Sequence, residues 1–204
     1  MGRPQTISNE EMLASAREVF LKHGAAGSTR EIARCAGISE AALFKRYSTK
    51  AQLFLAAMVP PEPAIAGAAA KARAMKSPRQ GIEHLSHAVL DYFRKAIPMI
   101  IPLVAHPSFA PGLPRNFATS PATILLQAVA DYLREESESG RVSAKDPLAA
   151  AAVLVSALHS IALFEIMGFH GGAMPKAGVS TLVEALWLGL KPGATISKRA
   201  RKSK

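Results

Sequence analysis

The chain has 204 residues, 49% hydrophobic and 20% charged, enough to bury a core in one domain or two. A lone cysteine, Cys35, excludes an internal disulfide and suits a reducing cytoplasm. The net charge of +10 sits at the ends, with eight Lys/Arg against five Asp/Glu in 1–50, six against none in 191–204, and near-neutrality between, which points to an anionic polymer as partner.

Residues 1–8 form a short arm closed by Ser8, which makes a capping box with Glu11 and starts a helix. Met12, Leu13, Ala16, Val19 and Phe20 mark its apolar face, and Gly24 ends it near His23. Asn9-Glu10-Glu11 stands where a secretory signal needs an apolar run, so no such signal is expected.

Ser28, with Glu31 three residues on, reads as a second capping box. Ile32, Ala33 and Ala36 follow at helical spacing, and Gly37 stops the turn. Cys35, beside Ala33 and Ala36, is expected to be buried. Ser39 caps another short helix running to about Tyr47. Two helices joined by a Gly-containing turn, with basic residues on the second, describe a helix-turn-helix, which points to DNA. Ile32, Ile38, Leu43 and Tyr47 are its core positions, leaving Ser39, Glu40, Ala41, Ala42, Phe44, Lys45 and Arg46 to face a groove or its phosphates.

A helix near 51–58 is interrupted by Pro60-Pro61-Glu62-Pro63, which divides a DNA-binding domain, 1–59, from a helical remainder, 60–193. An Ala-rich helix covers 64–76, and Ser77-Pro78 restarts the chain. From Pro78 to about Ala96, Ile82, Leu85, Val89, Phe93 and Ala96 fall on one side and His84, His87 and Asp91 opposite, a solvated face before it is a metal site. Five prolines in 98–114 predict a broken helix plus an apolar loop containing Phe109, able to roof a pocket or pad the core. A helix runs from Ser120-Pro121 to about Ser139, with Leu125, Val129 and Tyr132 inward and Glu135, Glu136 and Glu138 outward.

Asp146-Pro147 opens the most apolar helix, ending near Gly168. It is long enough for a membrane span, but Ser156, His159, Ser160 and Glu165 favour a buried helix of a soluble bundle. Ser156, His159 and Ser160 share a stripe that lines a cavity or bonds between helices. The last helix starts at Ser180 or Thr181 and contains Trp187. These last two helices are the candidates to pair across a dimer axis, and 194–204 reads as a basic, disordered tail.

Residues 8–54 resemble the N-terminal domain of the TetR family of bacterial transcriptional regulators. The matching pieces are Ala16-x-x-x-Phe20-x-x-x-Gly24, Ser28-Thr29-x-x-Ile32-Ala33-x-x-Ala36-Gly37-Ile38-Ser39, Leu43-Phe44-x-x-Tyr47 and Lys50-x-x-Leu53. Three departures stand out: Phe44 where Tyr is usual, Tyr47 where Phe is usual, and a loop at Ala25–Gly27 one residue short. The resemblance implies an all-α fold, with a three-helix DNA-binding domain and a helical ligand-binding and dimerisation bundle. It also implies a homodimer on a palindromic operator, with Ser28 and Thr29 at phosphates, Arg30 at a base edge, and Glu40, Ala41 and Ala42 facing bases. Lys45, Arg46 and Lys50, with Arg3 from the arm, would neutralise phosphates.

The function expected is a cytoplasmic repressor released from double-stranded DNA by a small apolar effector, with Phe93, Phe109, Ser156, His159 and Ser160 as pocket candidates. The alternative is a regulator of the same fold without an effector. No cofactor, metal or membrane is expected, and an enzyme is disfavoured because no Gly-rich phosphate loop, nucleophile elbow or zinc-spaced Cys/His cluster is present.

Overall fold

The computed structural model describes residues 7–108 and 120–190, which hold nine α-helices and no strand. Phe109, Arg3 and the tail 194–204 lie outside the described residues. The chain divides into two compact units, whose described parts are 7–61 with 95–108, and 62–94 with 120–190.

The first unit contains α1 (Asn9–His23), α2 (Thr29–Cys35), α3 (Glu40–Arg46) and α4 (Lys50–Ala57). The Ser8 capping box forms as the sequence requires: Ser8 Oγ accepts from Glu11 N–H at 3.1 Å, and the Glu11 carboxylate accepts from Ser8 N–H at 2.9 Å. The Ser8 N–H, and then the Ser8 hydroxyl donating to the same carboxylate at 2.8 Å, hold the Glu11 carboxyl below its ordinary value. Met12, Ala16, Val19 and Phe20 are buried against Ile32, Leu43, Leu53 and Phe54. Phe20 meets Phe54 edge to face at 5.0 Å, and His106 stacks on Phe54 at 4.8 Å. Arg17 Nε donates to the Ala57 carbonyl at 2.8 Å and so closes the end of α4.

Helix α6 runs from Pro78 to Ala105, through Pro98 and Pro102, where the sequence predicts a break after Ala96. Each proline removes one bond to the carbonyl four residues earlier, but the two are four residues apart and disturb the same face. One step round the helix from the prolines, Met99 and Leu103 are buried in the core of the first unit, and that packing outweighs the lost bonds. The last third of α6 therefore belongs with the N-terminal helices, although a proline-rich segment precedes the helix.

The second unit contains α5 (Ile65–Arg73), the earlier part of α6, α7 (Pro121–Glu138), α8 (Pro147–Ile166) and α9 (Lys176–Leu190). Ile82, Leu85, Val89, Phe93 and Ala96 are all buried, so the two-faced pattern of α6 holds. Ser120 and Asp146 cap α7 and α8, each followed by proline at the first helical position. Helix α9 starts four residues before Ser180 because Ser180 and Thr181 bond back to the carbonyls of Lys176 and Ala177 instead of capping.

Glu136 is buried, not outward as its acidic neighbours suggest. Gly140 takes φ +73°, and Arg141 N–H and Val142 N–H both return to the Glu136 carbonyl. That turn folds Arg141 over the side chain, so that its Nη2 meets Glu136 Oε1 at 2.6 Å.

Helices α6 and α7 approach closely at Gly81. A Cβ there would collide with the Tyr132 hydroxyl and lie 2.6 Å from its Cζ and 3.1 Å from the Ala72 carbonyl oxygen. The ring has no easy escape, because its hydroxyl donates to the Pro78 carbonyl at 3.1 Å. Burial also pushes the phenol up to about 12, so it remains a donor throughout the working range. Gly81→Ala is expected to cost about 1–3 kcal/mol by overpacking, read as a lowered denaturant midpoint.

Candidate nucleic-acid interface

Helix α2 ends in a turn of three backbone features. Gly37 adopts φ +66°, Gly37 N–H bonds to Arg34 O at 3.2 Å, and Ile38 N–H reaches back to Ala33 O at 3.0 Å. Those bonds satisfy orphan carbonyls and redirect the chain into α3. Ser39 Oγ then accepts from Ala42 N–H at 3.1 Å and caps the second helix. Ile32 and Leu43 are wholly buried, and Ile38 and Tyr47 pack against them half-buried. The core positions expected from the sequence therefore set the helix pair.

With Leu43 inward, the 100° step of a helix sends Ala41 and Lys45 outward and Phe44 to the flank. All three are exposed, as are Ser39 and Arg46, while Ala42 and Lys50 are half-buried. Arg30, on α2, leaves 89% of its side chain in solvent. Ser28 and Thr29 stand at the start of α2, but Ser28 makes no side-chain cap bond. Glu31 lies 3.8 Å from His23 Nε2 instead of closing a capping box.

Three side chains are engaged in ways the sequence does not reveal. Arg46 Nη2 donates to the Ile7 carbonyl at 2.8 Å, so its guanidinium ties down the base of the arm. Tyr47 Oη accepts from Asn9 Nδ2 at 3.0 Å, which answers the need created by tyrosine at that position. Glu40 accepts from Thr29 Oγ1 and faces Arg30 Nε at 3.6 Å. Each pairing spans a turn or more than thirty residues, and no local pattern encodes it.

Cys35 is exposed, contrary to expectation. Ile32, Ala33 and Ala36 form the buried stripe of α2, and residue 35 falls off it.

In the second unit, Phe93 is buried and meets the His159 ring edge to face at 5.0 Å. Ser156, His159 and Ser160 are exposed on α8. The apolar stripe of α8 is filled by Ala151, Leu154, Val155, Leu158 and Ala162, which turns these polar residues outward. A recess of about 560 Å³ opens between α5 and α7, with Ile65, Ala66, Ala69, Ile124 and Ala128 along its wall and Arg73, Gln127 and Asp131 at its polar edge. His84 and His87 are half-buried, and no cluster with metal-ligand character occurs among the described residues.

Helix α8 has the length and mean hydropathy, 2.0, of a membrane span, and only 28% of its apolar window is buried within the chain. The buried helix expected there is thus largely uncovered, with Leu148, Val153, Phe164 and Ile166 exposed.

Residues 12–57 match the family model for bacterial regulatory proteins of the tetR family, so the N-terminal helix-turn-helix is of that type. No curated protein matches the chain. Among solved structures, a Rhodococcus sp. RHA1 protein of unknown function is similar over 93% of this chain and 100% of its own, at 22% identity and TM-score 0.69. The transcriptional regulator FadR from Bacillus subtilis, in complex with stearoyl-CoA, is similar over 89% and 99%, at 14% identity and TM-score 0.65. PfmR from Thermus thermophilus, a TetR family transcriptional regulator, is similar over 86% and 96%, at 19% identity and TM-score 0.61. These likenesses establish the all-helical fold over both units.

Proposed function

We propose that this protein is a sequence-specific DNA-binding transcriptional regulator, a homodimer that represses from a palindromic operator and is released by a small apolar effector. The observation that carries the reading is the tetR-type helix-turn-helix, whose second helix leaves Ala41, Phe44 and Lys45 exposed outside a well-formed core. An exposed helix with alanine methyls, an aromatic edge and flanking cations suits a major groove: methyls meet thymine, and Lys45 and Lys50 meet phosphates. Arg30 supplies the donor pair best suited to guanine.

Dimerisation accounts for the uncovered apolar surface of α8 and α9. Leu148, Val153, Phe164 and Ile166 are exposed on α8, and Leu188 on α9. Val153 and Phe164 share the side of α8 turned away from its buried stripe, and a second copy of that face buries them with two-fold symmetry. The effector is proposed to enter the recess between α5 and α7, whose apolar wall and polar edge fit an apolar body with a polar head. That FadR is in complex with stearoyl-CoA supports an effector of this general shape.

The reading is tested by salt titration of duplex binding. If Lys45 neutralises a phosphate, Lys45→Ala lowers the slope of log affinity against log salt by about 0.9 per protomer, about 1.8 for the dimer, and weakens all duplexes alike. A slope equal to that of the unsubstituted protein would remove Lys45 from the interface.

A further inference from the structure

Helices α2 and α3 are bound to each other at their first turns by one acidic side chain. Thr29 Oγ1 donates to Glu40 Oε1, and Arg30 Nε lies 3.6 Å from Glu40 Oε2. Both carboxylate oxygens thus face residues of α2. The Glu40 side chain is 37% exposed, whereas that of Arg30 is 89% exposed.

We propose that Glu40 is a positioning residue for Arg30 and does not itself read a base. This inference rests on the DNA-binding reading above. Accepting a hydrogen bond from cytosine N4 would compete with the two α2 contacts Glu40 already makes, in a groove lined by phosphate charge. Contact at Nε also leaves the two terminal nitrogens of Arg30 free, and that pair matches guanine O6 and N7. An exposed ion pair of this kind contributes little to stability. Its effect lies in restricting a flexible side chain before it binds, which reduces the ordering cost on the operator.

The conservative change Glu40→Gln keeps the volume and the acceptor for Thr29 but removes the anionic partner of Arg30. The test measures base preference at each operator position with the full chain, for the unsubstituted protein, Glu40→Gln, Arg30→Ala and the double variant. The expected result is that Glu40→Gln lowers preference at one guanine by about 2- to 10-fold. The same guanine should lose its preference in Arg30→Ala, and the double variant should match Arg30→Ala. Non-operator DNA should bind more tightly to Glu40→Gln at low salt, because a negative charge has left the interface.

Relaxation at a different base pair, persisting in the Arg30→Ala background, would overturn the proposal by making Glu40 a reader. An unchanged preference profile for Glu40→Gln would overturn it as well. An unsubstituted protein without any base preference would instead remove the DNA-binding reading itself, and is distinguishable from both.

Discussion

Phe54→Ala is expected to lower the stability of the N-terminal unit by about 3–5 kcal/mol, the usual cost of emptying an aromatic core site. Phe54 is 1% exposed and packs against both Phe20 and His106. It thus joins α1 to the segment just after α6, while Met99 and Leu103 complete the same core. The void would be lined by apolar side chains, and the neighbours are held by helices that cannot collapse independently. Because domains are stable by only about 5–15 kcal/mol, such a loss removes a large share of the stability of this unit and should lower the temperature at which duplex binding is lost. Urea unfolding followed by circular dichroism checks it. A shift below about 1 kcal/mol would place Phe54 at the margin of the core, in conflict with its burial.

The second large effect is expected at Arg94. Its Nε and Nη2 bind both oxygens of Glu165 at 2.8 and 2.9 Å, and Nη2 also donates to the Met174 carbonyl at 3.1 Å. Met174 N–H returns to Glu165 Oε1 at 2.6 Å, so one ion pair fastens α6, α8 and the loop that follows α8. Glu165 keeps 11% of its side chain in solvent and Arg94 31%. Arg94→Met leaves that carboxylate with much of its burial and little of its compensation. The expected cost is about 2–3 kcal/mol at neutral pH, below the range for fully buried pairs because Arg94 is partly hydrated.

The pH dependence follows from the Glu165 carboxyl, which the Arg94 hydrogen bond holds below its ordinary value of 4.5 against the opposing effect of burial. A carboxyl with a depressed folded value contributes stability that is complete above the unfolded value and is lost as pH falls through the folded one. Arg94 stays charged throughout. The stability gap between the protein and Arg94→Met should therefore be widest above pH 4.5 and narrow as the pH falls below it. A gap that is constant from neutral to acid pH would assign the loss to packing alone.

Much of the local chemistry was legible in the sequence where partners lie within one turn, although Ser28 with Glu31, read by the same rule, forms no capping box because Glu31 faces His23. Ser8 with Glu11, Ser39 with Ala42, Ser120 before Pro121 and Asp146 before Pro147 all read correctly, because a cap and its amide are three residues apart. The helix-turn-helix was legible for the same reason, its apolar spacing and Gly37 being local features. Pro98 and Pro102 misled because their cost is local while the compensation, burial of Met99 and Leu103, comes from helices distant in sequence. Glu136 misled because only the Gly140 turn brings Arg141 over it. The pairings of Glu40 with Thr29 and of Arg46 with Ile7 were invisible for the same reason. Within the candidate interface, the sequence identified the exposed face but not which charged groups on it are already engaged.

The central claim is that this chain reads DNA as a two-fold dimer, and selection from a pool of random duplexes by the full-length protein tests it most directly. The account predicts an enriched palindrome whose half-site centres lie about 34–36 Å apart, or a multiple of that spacing, bound by two copies per site. Recovery of duplexes with no shared sequence, all released by moderate salt, would contradict it.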